Sequence, residues 1–420
     1  MTSFLRRKPI LRAAARLQPF FYWVAFVWRR LLPNTTVIAI TGSLGKTTTK
    51  EILAVVLEAA GPTYRTHRNQ NSLILVMLNV LKIRPRHRYA VLEVASAAPG
   101  QMKKPARLVR PDVVIMLNVL RTHTTDFIDL EQHAKEKTIL LKYLKPGGIV
   151  VLNDDDPFVA SMPMPGGARV YRIGTREGVE GRVDQISSSW PDRLKFVFHQ
   201  GGESREAHTQ LVGCHWITTA AASLTTATAL GMDLDVAVNA LATAQPFAGR
   251  LLPVQVPSGA VILRDDYNAA IDTIDASLQV LANATALRRL LVITDMSDFG
   301  KNRKQRFKYL AARSAEVADG AVFIGELAEY GKRRAIDAGL PPETVHAFPS
   351  IQRAAEFLKG ELRAGDVMLL KGRTTDHATR IFFAQLGTVK CWKEYCGKRM
   401  LCDACPELGL SREELGQFAL

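Results

Sequence analysis

Cysteine is scarce along most of this 420-residue chain, and four of its five cysteines fall in the last 30 residues. A disulfide-stapled secreted fold would spread its cysteines out, so a reducing, cytoplasmic compartment is expected. The uncharged run Leu17–Trp28 is shorter than the roughly 20 apolar residues needed to cross a bilayer. No small-residue cleavage site follows it, which argues against a secretory signal. Acidic residues are in deficit, 40 Asp and Glu against 55 Lys and Arg, for a net charge of +15. That balance points to anionic partners: a nucleotide, a phosphorylated substrate or an anionic membrane surface. No basic–aromatic ladder or recognised nucleic-acid motif accompanies the charge, so nucleic acid is not expected as a partner. What remains, 47% hydrophobic and 23% charged residues, is the composition of a globular protein, and the length suits two or three domains.

The chain is organised around Val37–Lys50, VIAITGSLGKTTTK. Val37–Ile40 has the length and apolarity of a buried parallel strand, Thr41-Gly42 ends it, and helical spacing runs from Thr47 through Leu57. Strand, glycine turn and helix form the context of a phosphate-binding loop. Gly42, Ser43 and Gly45 bring backbone N–H groups to an anion, Lys46 supplies a charge for the outer phosphates, and the hydroxyls of Thr47 and Thr48 open the helix, with Thr47 suited to Mg²⁺. The first glycine of the GxxxxGK[ST] spacing would fall at Ile40, so the loop is a shorter variant.

Strand-like runs at Tyr89–Glu93, Val113–Asn118 and Ile149–Asn153 end in polar residues, with helical patterns at Leu73–Leu81 and Leu130–Leu144 between them. This alternation predicts a doubly wound α/β domain with a mostly parallel sheet and ligands at the carboxyl ends of its strands. Glu93, Asn118, His123 and Asn153–Asp156 gather there as a polar constellation. Three further strand runs, Leu290–Thr294, Ala321–Ile324 and Val367–Lys371, imply a second, smaller Rossmann-like α/β domain.

The loop TGSLGKTTT, with EVASAAPGQM, NVLRTHTTDF, AKEKTILL and VLNDDDP after it, resembles the Mur ligases, the ATP-dependent amide-forming enzymes of cell-wall synthesis. The resemblance is nearest the branch that adds D-alanyl-D-alanine to a cell-wall precursor, and it spans roughly 35–388. It implies Mg²⁺ ligation by Glu93 and His123, carbamylation of Lys137 by CO₂, and an adenine contact by Asn153. LVGCHWITTAAA matches the family's glycine–histidine motif through Gly213 and His215, with Trp216 replacing an asparagine. Ala248-Gly249-Arg250 implies an arginine on ATP phosphates, and RDDYNA implies a ribose contact by Asp266. Asn69 and Asn71 match substrate-side asparagines of the family. The implied reaction runs from a carboxylate through an acyl phosphate to an amide, ADP and phosphate. The alternative from a different class is a nucleotide-binding scaffold on the same fold.

The expected organisation is a basic aromatic segment (1–33), a central ATP-binding domain (34–249), a C-terminal domain (250–388) and a Cys-rich tail (389–420). Only 36 residues precede Val37, too few for the uridine-nucleotide domain of that branch, and the Gly and Pro expected after Ser72 are replaced by Leu73–Leu78. The acceptor pocket is therefore expected to be rebuilt, for a small-molecule or lipid-linked acid and an amine. Bases at Arg6, Arg7, Lys8, Arg12, Arg16, Arg29 and Arg30 flank Phe20–Trp28. That pattern suits a helix in the interface of the inner membrane face, or equally one packed on the protein body. In the tail, Cys391, Cys396, Cys402 and Cys405 form a C-x₄-C-x₅-C-x₂-C array among lysines, open to zinc, an iron–sulfur cluster or unliganded thiols.

Overall fold

The computed structural model describes residues 17–67, 71–96, 98–120, 129–296, 303–394, 396–398 and 400–409. The chain divides into two units. The first comprises residues 1–185 together with Phe196–His208 and Ile217–Ala244; the second comprises Ile186–Lys195, Thr209–Trp216 and everything from Gln245. The central segment therefore changes unit several times before the boundary near Gln245, where the sequence reading had one change at 249/250. The Cys-rich tail belongs to the second unit and is not a separate body.

The first unit contains a nine-stranded sheet built from β1 (Thr36–Thr41), β2 (Thr63–Arg65), β3 (Tyr89–Glu93), β4 (Val113–Met116), β5 (Ile149–Asn153), β6 (Arg169–Gly174), β7 (Gly181–Ser187), β8 (Lys195–Gln200) and β9 (Glu203–His208). Its order is β2-β3-β1-β4-β5-β6-β7-β8-β9, and every pairing from β2 to β7 is parallel. β1, β3, β4 and β5 are almost continuously apolar because helices cover both faces of such a sheet. The helices are α1 (17–30), α2 (Lys46–Glu58), α3 (Leu73–Lys82), α4 (Lys103–Val109), α5 (Leu130–Thr138), α6 (Pro157–Ala160), α7 (Ile217–Ala229) and α8 (Leu234–Thr243). The order reverses at β1, with β3 on one side and β4 on the other, so the crevice of this sheet opens beyond Thr41.

The second unit has a six-stranded sheet of β10 (Leu252–Gln255), β11 (Val261–Asp265), β12 (Arg288–Ile293), β13 (Gly320–Ile324), β14 (Val345–Phe348) and β15 (Asp366–Lys371), ordered β10-β11-β15-β12-β13-β14. All pairings are parallel except β10 with β11. Its helices are α9 (Ile271–Ala282), α10 (Arg303–Val317), α11 (Ala328–Asp337), α12 (Ile351–Glu361) and α13 (Thr379–Leu386).

Helix α1 is docked on the first unit. Ala25 is fully buried, and Tyr22, Phe26 and Trp28 pack on the cluster formed by Val76, Met77, Val80 and Ile83 with strand residues. Trp28 Nε1 donates to the Ile83 carbonyl at 3.0 Å. The arginines of its carboxyl end are not in solvent, as a simple packing helix would place them. Arg29 is 3% exposed and donates to the carbonyls of Val109 and Arg110 and to Asp112 at 3.0 Å. Asp112 also receives Val37 N at 2.9 Å, so Arg29 clamps α1 to the start of β1. Arg29→Ala is expected to lower stability by about 2 kcal/mol, a charge-assisted network being lost while Asp112 keeps Lys145. Differential scanning fluorimetry should read a fall of about 5 °C; no change would mean that α1 does not brace the domain.

Candidate active site

β1 delivers Thr41 to the crevice, and the loop Gly42–Gly45 turns there into α2. Gly45 sits at φ 82°, a left-handed conformation that glycine adopts without strain, and a Cβ on Gly42 would come within 2.9 Å of Leu117 Cβ. Lys46, Thr47 and Thr48 occupy the first turn of α2, where backbone N–H groups lack intrahelical acceptors and the helix dipole favours an anion. Lys46 Nζ folds back onto its own loop, donating to the carbonyls of Gly42 and Ser43 at 2.7 and 2.9 Å. Asn118, at the end of β4, braces the loop from beneath: its Oδ1 accepts from Ser43 N and Leu44 N, both at 2.9 Å. A bare polar residue after a strand gives no sign of that role.

Glu93 ends β3 and is 2% exposed. Thr47 Oγ1 donates to its Oε2 at 3.0 Å and Asn71 Nδ2 to its Oε1 at 2.8 Å. Glu93 N donates to Thr66 Oγ1, and the Thr66 carbonyl accepts from the fully buried Lys50. The carboxylate is thus fixed against the first turn of α2. A hydroxyl and a carboxylate in contact beside a phosphate loop are the hard oxygen donors that Mg²⁺ takes, so Thr47 and Glu93 fit that ion. Asn71 stands on Glu93, and Asn69 and His123 lie outside the described residues.

Lys137 is 2% exposed on α5. Asp129 caps this helix by accepting from Gln132 N, and Glu136 accepts from Gly100 N and Met102 N at 2.8 and 2.6 Å, tying α5 to the chain after β3. Burial, and then the charge of Lys46, hold the Lys137 ammonium well below the ordinary lysine value against the pull of Glu136. A neutral amine is the form that adds CO₂, so the residue fits the carbamylation inferred from its motif. The helix stops at Thr138, short of Leu144, and a 3₁₀ turn at Leu141–Tyr143 completes the segment.

Asn153, at the end of β5, is only 8% exposed and donates to the Leu117 carbonyl at 2.9 Å, while its Oδ1 accepts from Asp155 N. It locks the ends of β4 and β5 together. Asp156 adds a bond from Val119 N and caps α6.

In the second unit the Arg250 guanidinium lies 4.6 Å over the Tyr267 ring, and its Nε is buried with no hydrogen-bond partner. Asp266, which precedes Tyr267, is 1% exposed, with Arg264 at 3.4 Å, and burial raises its carboxyl above the ordinary value. Its Oδ1 makes no hydrogen bond among the described residues. Arg264 is in turn gripped by Asp403 of the tail at 2.6 and 3.0 Å. Beside them Lys371 forms a buried pair with Asp265 and donates to the Thr273 carbonyl. A cavity of about 430 Å³ opens at the carboxyl ends of β12, β13, β14 and β15. Arg303, Arg373 and Lys393 line it together with Asp295, Asp376 and Glu394.

The four tail cysteines are brought together around one small cavity. All are free thiols, and burial pushes Cys402 up to about 11. Among the described residues no three His, Cys, Asp or Glu side chains are gathered closely enough to hold a metal ion.

A phosphate loop at the switch point of a parallel sheet, with a buried carboxylate on its threonine, defines a P-loop nucleotide-binding α/β protein. Comparison with family models is more specific: the Mur ligase middle domain matches residues 40–227, and the Mur ligase, glutamate ligase domain matches 249–374. The chain belongs to the Mur ligase family. It is 30% identical over 360 residues to the UDP-N-acetylmuramoyl-tripeptide–D-alanyl-D-alanine ligase of Mycobacterium tuberculosis, covering 80% of this chain and 70% of that one. The Escherichia coli enzyme of the same name is 29% identical over 274 residues, covering 65% of this chain and 60% of its own length. Crystal structure II of MurF from Acinetobacter baumannii superposes with a TM-score of 0.81 at 26% identity, over 88% of this chain and 80% of that one. The chain thus spans between about three fifths and four fifths of the relatives it matches, and the matched family domains end at residue 374, ahead of the tail.

Proposed function

We propose that the protein is an ATP-dependent carboxylate–amine ligase, ADP-forming, acting on a cell-wall-type peptide or amino-acid substrate. The observation that carries the reading is the buried Thr47–Glu93–Asn71 cluster on the first turn of a phosphate-loop helix. The relatives named above, all acid–amine ligases by name, support it. A substrate carboxylate oxygen attacks the γ-phosphorus of ATP, the bond to the bridging oxygen breaks, and ADP leaves. The amine nitrogen then adds to the acyl carbon, loses a proton, and expels phosphate. Lys46 releases its two loop carbonyls to meet the outer phosphates, α2 turns its amino end to them, and Arg250 supplies a further cation. Thr47 and Glu93 would hold Mg²⁺, with His123 as the family motif implies, and the ion would neutralise phosphate charge. The carbamate on Lys137 would add an anionic oxygen to that environment. The cavity at the strand ends of the second unit, lined by cations and carboxylates together, suits the zwitterionic amine. ADP formation should require acid and amine together across a panel of nucleotide-linked, lipid-linked and free peptides. ADP release indifferent to both would favour a nucleotide-gated scaffold.

The acid is carried at the inner membrane face. Among the described residues no helix is long and apolar enough to cross a membrane. Docked α1 nevertheless leaves Leu17, Phe20, Phe21 and Trp23 exposed, Trp23 by 62%. The neighbouring α3 exposes Ile74 and Leu78. Exposed apolar side chains of this kind on a chain of net charge +15 match an anionic bilayer interface. The bases Arg6–Arg16 lie outside the described residues. The protein should sediment with anionic vesicles at low salt and be released by high salt. Phe20→Glu with Trp23→Glu should abolish sedimentation with Tm little changed, since both side chains are mostly exposed. A wild-type protein that stays in the supernatant leaves α1 as a bracing helix only.

A further inference from the structure

After α13 the described residues between 387 and 409 hold no strand, and their helical turns are two of 3₁₀ type, Cys402–Ala404 and Pro406–Leu408. So little backbone hydrogen bonding does not hold a segment in place, yet this one is tightly seated. Val389, Cys402 and Leu408 are buried in one cluster with Ile381, Phe382 and Phe383. Lys390 N donates to the Leu408 carbonyl, closing the tail into a loop, and Arg380 Nη1 donates to the Lys393 carbonyl at 2.8 Å. Inside that loop Cys391, Cys396, Cys402 and Cys405 line a single cavity of about 10 Å³, room for one atom. None of them is in a disulfide.

Cations surround the same space. Lys398 Nζ donates to Cys405 Sγ at 3.3 Å, and the Arg380 side chain, 3% exposed, lies against Cys402. His377 Nδ1 lies 3.5 Å from Cys402 Sγ, a neighbour able to orient that sulfur. Four thiols thus line one small cavity with Arg380 and Lys398 beside them, although the sulfurs stand farther apart here than ligands on a bound metal would.

We propose that these four cysteines form a structural tetrathiolate site for a divalent cation of the zinc class. Binding draws the sulfurs inward to metal bonds of about 2.3 Å and releases their protons to solvent. A divalent ion with four thiolates carries a net double negative charge, and Arg380 and Lys398 lie where they offset it. With four protein ligands no coordination position is left for substrate, so the role is to fix the tail and not to catalyse. The residues that follow two of the ligands say what is fixed. Trp392, Lys393 and Glu394, directly after Cys391, wall the cavity of about 430 Å³ in this unit. Asp403, directly after Cys402, clamps Arg264.

The test uses the full chain purified without chelator, with metal counted by plasma mass spectrometry and Co²⁺ exchanged into the site. About one zinc per chain is expected, along with the visible d–d bands and thiolate charge transfer of tetrahedral Co²⁺. Cys402→Ser and Cys405→Ser should each lower zinc at least tenfold, and Cys214→Ser, away from the array, should leave it unchanged. Wild-type protein without zinc or a Co²⁺ spectrum would overturn the proposal, as would iron with acid-labile sulfide, or zinc retained in both variants. The wild-type measurement decides the matter even if a variant does not fold.

Discussion

Lys46→Ala is expected to reduce nucleotide turnover by about a thousandfold or more, the scale of losing a preorganised charge at a transferring phosphoryl group. The expectation rests on position. Lys46 is the first residue of α2, and its ammonium is held by the Gly42 and Ser43 carbonyls of the phosphate loop itself. Those contacts are local, so the variant should fold normally and lose chemistry, not stability. Steady-state ADP release with a circular-dichroism check separates the two. Activity within threefold of wild type would remove the phosphate-loop assignment.

Lys137→Ala should lose at least about a hundredfold in activity, because a buried anionic oxygen close to developing charge contributes on that scale. Acetate or propionate should partly restore it by filling the space with a carboxylate. Lys137→Arg should be as inactive and not be rescued, since guanidinium does not add CO₂. The sign of the pH effect follows from burial. With its ammonium held well below the ordinary lysine value, Lys137 is neutral and reactive above that lowered pKa, and protonated and inert below it. Wild-type activity should therefore fall after dialysis into CO₂-free buffer on the acid side, and return with bicarbonate only once the pH is brought back above that lowered pKa. Full activity of Lys137→Arg would show that no carbamate is used.

Much of the catalytic unit was legible because parallel strands announce themselves. β3 and β5 are apolar runs closed by Glu93 and Asn153, with the bounds read from the sequence. What sequence could not show was which groups satisfy one another. Asn118 holding the loop amides, Glu136 anchoring Lys137 and Asn71 standing on Glu93 all depend on chain segments that meet only in three dimensions. The edge strand β9 left no apolar signal, being Glu-Ser-Arg-Glu-Ala-His with mostly exposed side chains. The change of unit at Ile186–Lys195 is likewise hidden. Asp266 was placed from a motif match alone, and its ion pair with Arg264 was not legible there. The four cysteines were visible as an array, while Asp403 and Trp392, which give the tail something to hold, were not.

The central claim, that this site activates a carboxylate by phosphorylation, is tested most directly by following oxygen. The acid selected by the substrate panel would be labelled with ¹⁸O in its carboxylate and turned over with ATP and amine, and the released phosphate analysed by mass spectrometry. The account predicts one ¹⁸O in each phosphate, because the oxygen that attacks phosphorus leaves with it when the amide forms. Unlabelled phosphate alongside amide product would contradict it.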